Sequence, residues 1–155
     1  MSDHPSPQGH GQRSCQPCTD CCVALPMAAG HIGAECKEAG VPCPHMGTAG
    51  CRIYASRPEA CRRFECAWLA DQAWPAAWRP DRSGLLCLRE WIVGTYRAAA
   101  VYERRAEALH SDAGRAIVAE LQRTCTVIAV MDVDGNRCNL TPRESLSPPP
   151  PRRAA

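Results

Sequence analysis

The stretch CQPCTDCC, residues 15–22, places four thiols, Cys15, Cys18, Cys21 and Cys22, in eight positions. Cysteine at that density ligates a metal, cross-links the chain, or cycles between thiol and disulfide. A C-x2-C spacing lets two thiolates from one tight turn meet a single ion, which is why zinc ribbons and iron–sulfur ligand runs both use it. Cys15 and Cys18 have this spacing, and Cys18 and Cys21 repeat it. Cys22 follows directly. Adjacent side chains point apart in an extended chain, so Cys21 and Cys22 need not share an ion. Two centres are compatible with the stretch.

The rest of the chain narrows the choice. Nine of its twelve cysteines lie within the first 66 residues, the later five being Cys36, Cys43, Cys51, Cys61 and Cys66. Disulfides at such density belong to oxidising compartments. The N-terminus, MSDHPSPQGHGQRS, has no apolar run to serve as a signal-peptide core, and the weakly polar stretch 23–34 is short and broken by Pro26, Gly30, His31 and Gly33. These features predict a cytoplasmic protein that spans no membrane, in which clustered thiols bind metal. Nine thiolates exceed one four-ligand zinc site; they could furnish two sites, or one cluster and one zinc.

The formal charge of +2 and a pI near 8.0 are too mild to imply a nucleic-acid partner. Seventeen of the eighteen basic residues are arginine and Lys37 is the exception, a bias that codon usage explains as well as chemistry does. Arg52, Arg57, Arg62 and Arg63 lie among the later cysteines, where they can offset the net charge of −2 that four thiolates leave on zinc.

The elements that must position these residues read as an α+β protein: a small irregular metal-clamped module with a short helix, followed by a small sheet with one helix. Residues 1–13 and 141–155 are polar or proline-rich tails without apolar periodicity. Residues 14–80 form the cysteine module, with too few aromatic and aliphatic side chains for a self-supporting core, and residues 81–140 an extension packed on it. In SRPE, Ser56 and Glu59 have capping-box spacing, which predicts a helix from Ser56 to about Asp71 with Cys61, Phe64 and Trp68 on one face. Five residues at about 100° each leave Cys66 about 140° from Cys61, so one centre can use both only if the helix breaks.

In the second part GLLCLREW reads as a strand. The next stretch, GTYRAAAVYER, puts Tyr96, Ala98, Ala100 and Tyr102 on one face, and CTVIAVMDVDGNRCNL reads as a hairpin turning at Asp134–Asn136. Ser111 opens a helix whose Ile117 and Leu121 lie i to i+4. Cys87, Cys125 and Cys138 fall on predicted strands as buried small side chains.

The order C-x2-C-x2-CC followed by CPHMGTAGCRIYASRPEACRRFECAWL, with its Gly-Cys-Arg-Ile-Tyr, Arg-Pro and Cys-Arg-x-Phe elements, resembles the YkgJ-like cysteine-cluster proteins, described as a zinc- or iron-chelating domain. The likeness covers about residues 15–80, and WRPDRSGLL continues it as in longer members. It implies metal-ligand status for Cys15, Cys18, Cys21, Cys22, Cys43, Cys51, Cys61 and Cys66. Cys36 departs from the pattern: a closer C-x2-C partner for Cys43 is expected, and here six residues intervene, so Cys36 stays a candidate on density alone. The C-x2-C-x2-C run is also similar to that of bacterial ferredoxins, without their Cys-Pro fourth ligand. A related cluster in flagellin lysine N-methylases is linked to an iron–sulfur centre, but this chain shows no nucleotide or S-adenosylmethionine loop and methyl transfer is not carried over.

The remaining candidates have plainer readings. His45, two residues after Cys43, is a candidate nitrogen ligand, and His31 a weaker one. Trp68, Trp74 and Trp78 read as packing residues that cover the cluster and join the two parts. The DVDGN stretch lacks the twelve-residue calcium pattern and is a turn. No serine–histidine–acid order or carboxylate pair is defensible, so no catalytic residue is assigned. The expectation is a cytoplasmic protein that holds zinc or an iron–sulfur cluster. The alternatives are an iron–sulfur electron carrier or redox enzyme, and a zinc-stabilised module that interacts with protein or nucleic acid, the mild charge favouring protein.

Overall fold

The structure, a computed structural model, describes residues 13–141, so all but Arg13 and Thr141 of the expected tails 1–13 and 141–155 lie outside the described residues. Four strands make the main sheet: β3 (Leu85–Val93), β4 (Tyr96–Glu103), β5 (Val127–Met131) and β6 (Arg137–Leu140), in that spatial order. The β3–β4 and β5–β6 pairs are antiparallel hairpins, the second as expected from its turn residues. The pair β4–β5 is parallel and so needs a crossover, which the helix α5 (Asp112–Thr124) supplies. Ser111 caps that helix, its hydroxyl accepting from the Gly114 amide at 3.0 Å, and Ile117, Val118 and Leu121 bury its apolar stripe. The fold is α+β.

One face of the sheet, through Leu85, Cys87, Ala99, Val101, Ile128 and Val130, is buried in a core shared with α5. Tyr96, Ala98, Ala100 and Tyr102 do share a face, but it is the opposite and more open one, with Tyr96 57% exposed. Two expectations for the late cysteines fail in part. Cys125 is buried but follows α5 instead of lying on a strand, and Cys138 lies on β6 but is exposed, because β6 is the edge of the sheet.

The cysteine-rich part is a chain of short elements: α1 (Asp20–Ala24), a two-stranded hairpin of β1 (Met46–Gly47) and β2 (Gly50–Cys51), α2 (Glu59–Arg63), α3 (Ala67–Ala70) and α4 (Pro80–Ser83). Between residues 14 and 65 only Ala24, Lys37 and Gly50 are buried. The single helix expected over 56–71 is two. Ser56 closes a 3-10 turn over Tyr54–Ser56 and its hydroxyl faces Ile53 O at 3.4 Å, so it caps nothing, and α2 starts after Pro58. The chain then goes extended at Phe64 and Cys66, where the Cys66 backbone bridges Leu88 on the outer edge of β3. Docking on that strand overrides local helix propensity.

The two parts share one core. Trp68 and Trp74 are buried in it with Leu85 and Leu86, and Trp74 meets Trp78 edge to face at 5.1 Å. Arg13, expected in the tail, is instead fixed: its guanidinium donates to the carbonyls of Trp68, Asp71, Gln72 and Trp74 at 2.7–2.9 Å and stacks 4.6 Å from the Trp68 ring. Among the described residues no helix is long and apolar enough to cross a membrane.

The crossover helix gives a direct test of this packing. An added Cβ on Gly114 would sit 2.1 Å from Ala108 O, a backbone atom that cannot swing aside. Ser111→Ala should cost about 1 kcal/mol by loss of the cap. Gly114→Ala should cost more, about 1–3 kcal/mol from overpacking. Chemical unfolding followed by tryptophan fluorescence measures both, and an equal or reversed order would contradict the close approach.

Candidate metal centre

Three devices bring the cysteines together. The first is α1, whose helical turn carries Cys21 and Cys22 and is tied to the residue after β4 through an Asp20–Arg104 ion pair at 3.7 Å. The second is the β1–β2 hairpin, in which Met46 pairs with Cys51, while the Cys43 amide donates to Cys22 O at 2.9 Å. The loop before α1 lies against this hairpin: Gln16 Nε2 donates to Cys51 O at 3.3 Å, and a Cβ on Gly50, which has φ 109°, would press on Pro17 at 3.3 Å. The third is the break between α2 and α3, which lets Cys61 and Cys66 turn to the same space despite their helical phase.

The outcome is one cavity of about 250 Å³ lined by Cys15, Cys18, Cys21, Cys22, Cys43, Cys51, Cys61 and Cys66. Cys36 is exposed and outside it. Its neighbour Lys37 and Ile32 of the same loop do line it, and Lys37 is held there by a backbone bridge to Met27. Every described cysteine is a free thiol. Apolar walls come from Leu25, Phe64, Leu69 and Leu86, the last of these carrying the cavity onto the sheet. The three tryptophans join the two parts as expected but do not line it. His45 lines the cavity; His31 is exposed and does not.

The electrostatics are mixed. Burial pushes the Cys18 thiol up to about 12, with the Asp20 carboxylate nearby working in the same direction and their contact at 3.4 Å. Cys21 is pushed up because it donates to Cys22 and is buried, and Cys61 and Cys66 are pushed up chiefly by burial. Cys22 goes the other way, down to about 7, since it accepts from Cys21 and feels the Lys37 and Arg57 charges. Of the four arginines expected to balance thiolate charge, Arg57 does so, with Nη1 3.6 Å from Cys15 Sγ and its guanidinium over the Tyr54 ring at 3.7 Å. Arg52 and Arg62 bond backbone carbonyls and Arg63 pairs with Glu59.

Composition gave Lys37 no role, yet the chain's one lysine is only 7% exposed and lines the cavity. Its Nζ donates to the carbonyls of Val23, Leu25 and Glu38 at 3.2, 2.5 and 3.1 Å. A lone lysine in an arginine-rich chain was the available signal. An ammonium directs its three donors from a single atom, whereas a guanidinium spreads its donors over a plane, as Arg13 does across four carbonyls.

The donor set fits a soft metal. Thiolates are ligands for zinc and for iron–sulfur clusters, and all eight here face one partly enclosed space. Among the described residues no three Cys, His, Asp or Glu side chains converge tightly enough, as they stand, to hold an ion. The thiols ring the space instead of meeting at a point. No family model matches this chain, and neither a curated protein nor a solved structure matches it.

Neighbouring residues 36 and 37 separate the cavity from its surroundings. Lys37→Met leaves three carbonyls without their donor and should cost about 1–3 kcal/mol in chemical unfolding. Cys36→Ser, at an exposed position outside the cavity, should stay within about 0.5 kcal/mol of the unaltered chain. Equal effects at the two positions would contradict the cradle.

Proposed function

We propose that this chain is a metal-binding protein of the reducing cytoplasm whose cysteine cluster holds zinc or an iron–sulfur cluster. The observation that carries this reading is that eight thiols from separate segments line one cavity while Cys36, in the same stretch of sequence, does not. The same eight positions are those for which the resemblance to YkgJ-like cysteine-cluster proteins implies ligands. Sparse burial between residues 14 and 65 adds a physical motive: a segment that hides so little apolar surface gains stability when a bound metal ties its turns together.

In this reading the chain's own groups have defined tasks. Cys22, held near neutrality, is the thiol that enters as thiolate most readily, and the others lose their protons as the metal binds. Lys37 and Arg57 offset the negative charge that four thiolates leave on a divalent ion. The sheet and α5 supply the fixed wall. When bound, the metal supplies cross-linking and, if it is an iron–sulfur cluster, a redox couple.

Protein purified without oxygen and analysed for metals should contain stoichiometric zinc or iron. Chelation should lower the thermal midpoint markedly and loosen the N-terminal half. A metal-free preparation that is equally stable and does not take up zinc or reconstituted iron would overturn the reading.

A further inference from the structure

Two side chains from one turn meet the Cys15 sulfur. Cys15 Sγ donates to the Tyr54 hydroxyl at 3.4 Å, and Arg57 Nη1 lies 3.6 Å from the same sulfur as a donor to it. The two partners are themselves joined, the guanidinium lying 3.7 Å over the Tyr54 ring. Cys18 has the opposite surroundings, since its Sγ meets a carboxylate oxygen of Asp20 at 3.4 Å.

The local backbone sets this pair in place. Tyr54 opens the 3-10 turn Tyr54–Ser56 and Arg57 closes it, and in such a turn residues three apart stand side by side. Arg62 Nη1 donates to Arg57 O at 2.8 Å, and Pro58 then leads into α2, the helix of Cys61. Cys15 comes from the far end of the module, on the loop whose Gln16 Nε2 donates to Cys51 O. All three residues, Cys15, Tyr54 and Arg57, line the cavity. Arg57 Nε is buried and has no hydrogen-bond partner among the described residues, so the chain itself leaves one donor of this guanidinium unused.

We propose that Tyr54 and Arg57 are positioning residues for a metal-bound Cys15 thiolate, the hydroxyl and the guanidinium both donating to its sulfur. The proposal rests on the metal-binding reading of the cavity and adds which ligand is held and by what. A thiol can donate to Tyr54, but a thiolate can only accept. As Cys15 gives its proton to water and its sulfur bonds the metal, the Tyr54 hydroxyl turns and becomes the donor, so the contact reverses direction. Buried donors nearly always have partners, and thiolate sulfurs drawn in by the metal are the acceptors that Arg57 Nε lacks. Groups that hydrogen-bond a metal ligand orient it, and losing one typically lowers metal affinity about 10–100-fold.

The test uses the full chain, purified without oxygen, stripped of metal under reducing conditions and loaded with cobalt(II). Tyr54→Phe keeps the ring beneath the guanidinium and removes only the hydroxyl, whereas Arg57→Met removes the charged donors. Each should weaken cobalt binding about 10–100-fold in competition with a chelator. Each should also move the sulfur-to-cobalt charge-transfer band to lower energy, because donors on the sulfur hold its electrons more tightly. Arg63→Met, at an exposed position of α2 paired with Glu59, removes an equal charge and should do neither. With Cys15→Ser already present, Tyr54→Phe should move the band no further. A band that stays in place in Tyr54→Phe, losses no larger than that of Arg63→Met, or a further shift in the Cys15→Ser background overturns the clamp and leaves metal binding standing. A chain that takes up neither cobalt, zinc nor reconstituted iron overturns both. Where tryptophan fluorescence shows that Arg57→Met does not fold, Tyr54→Phe decides alone.

Discussion

Eight thiols around one poorly solvated space repel one another as soon as more than one ionises, and that repulsion is the constraint on which the structure turns. Burial pushes Cys18, Cys61 and Cys66 up, and hydrogen bonding to Cys22 together with burial does the same to Cys21. Left to themselves these groups stay protonated at neutral pH and contribute little beyond the packing of small side chains. A bound cation inverts the balance, since its charge stabilises each thiolate that the cavity otherwise disfavours. The free energy of binding then becomes free energy of folding for a segment that buries only Ala24, Lys37 and Gly50 between residues 14 and 65.

The second half of the chain needs no such help. Its sheet and crossover helix bury Leu85, Val101, Ile117 and Ile128 almost completely, as an ordinary core does. The cysteine module is built onto the outer strand of that sheet. Cys66 pairs with the β3 backbone at Leu88, Leu86 forms part of the cavity wall, and Trp68 and Trp74 enter the common core. The arrangement also covers part of an edge strand, which would otherwise present unpaired backbone groups to other chains.

How much of this the sequence discloses depends on how local each signal is. The β5–β6 hairpin and α5 are legible because turn residues, a serine cap and i to i+4 apolar spacing act within a few residues. The face of β4 was not, since alternating Tyr96, Ala98, Ala100 and Tyr102 look as buriable as Ala99 and Val101 until β5 and α5 are in place. The helix over 56–71 misled for a related reason: SRPE has the spacing of a cap, but Cys66 gains more from pairing with Leu88 than from continuing the helix. Cysteine spacing pointed to the candidate ligands, and density alone kept Cys36 among them, because nothing in the count of residues says that its side chain stays outside the cavity that Ile32 and Lys37 line.

The short helices show how such a module can present thiols at fixed angles without a core beneath them. A five-residue helix has too few internal hydrogen bonds to be stable alone, and its last carbonyls lack partners. In α1 those carbonyls are supplied by Lys37, whose ammonium meets Val23 O and Leu25 O, while Asp20 at the other end lies beside Arg104. In α3 the same task falls to Arg13, which meets Trp68 O and Asp71 O. The C-terminal end of each helix carries negative partial charge, so a cation there is favourable twice over: it satisfies the orphan acceptors and opposes the dipole. Lys37 does a third thing, because the cap it forms on α1 also puts its charge beside Cys22 and Cys43. Helix termination and thiolate stabilisation thus share one ammonium, so the geometry that aims Cys21 and Cys22 and the charge that favours Cys22 as thiolate rest on the same side chain.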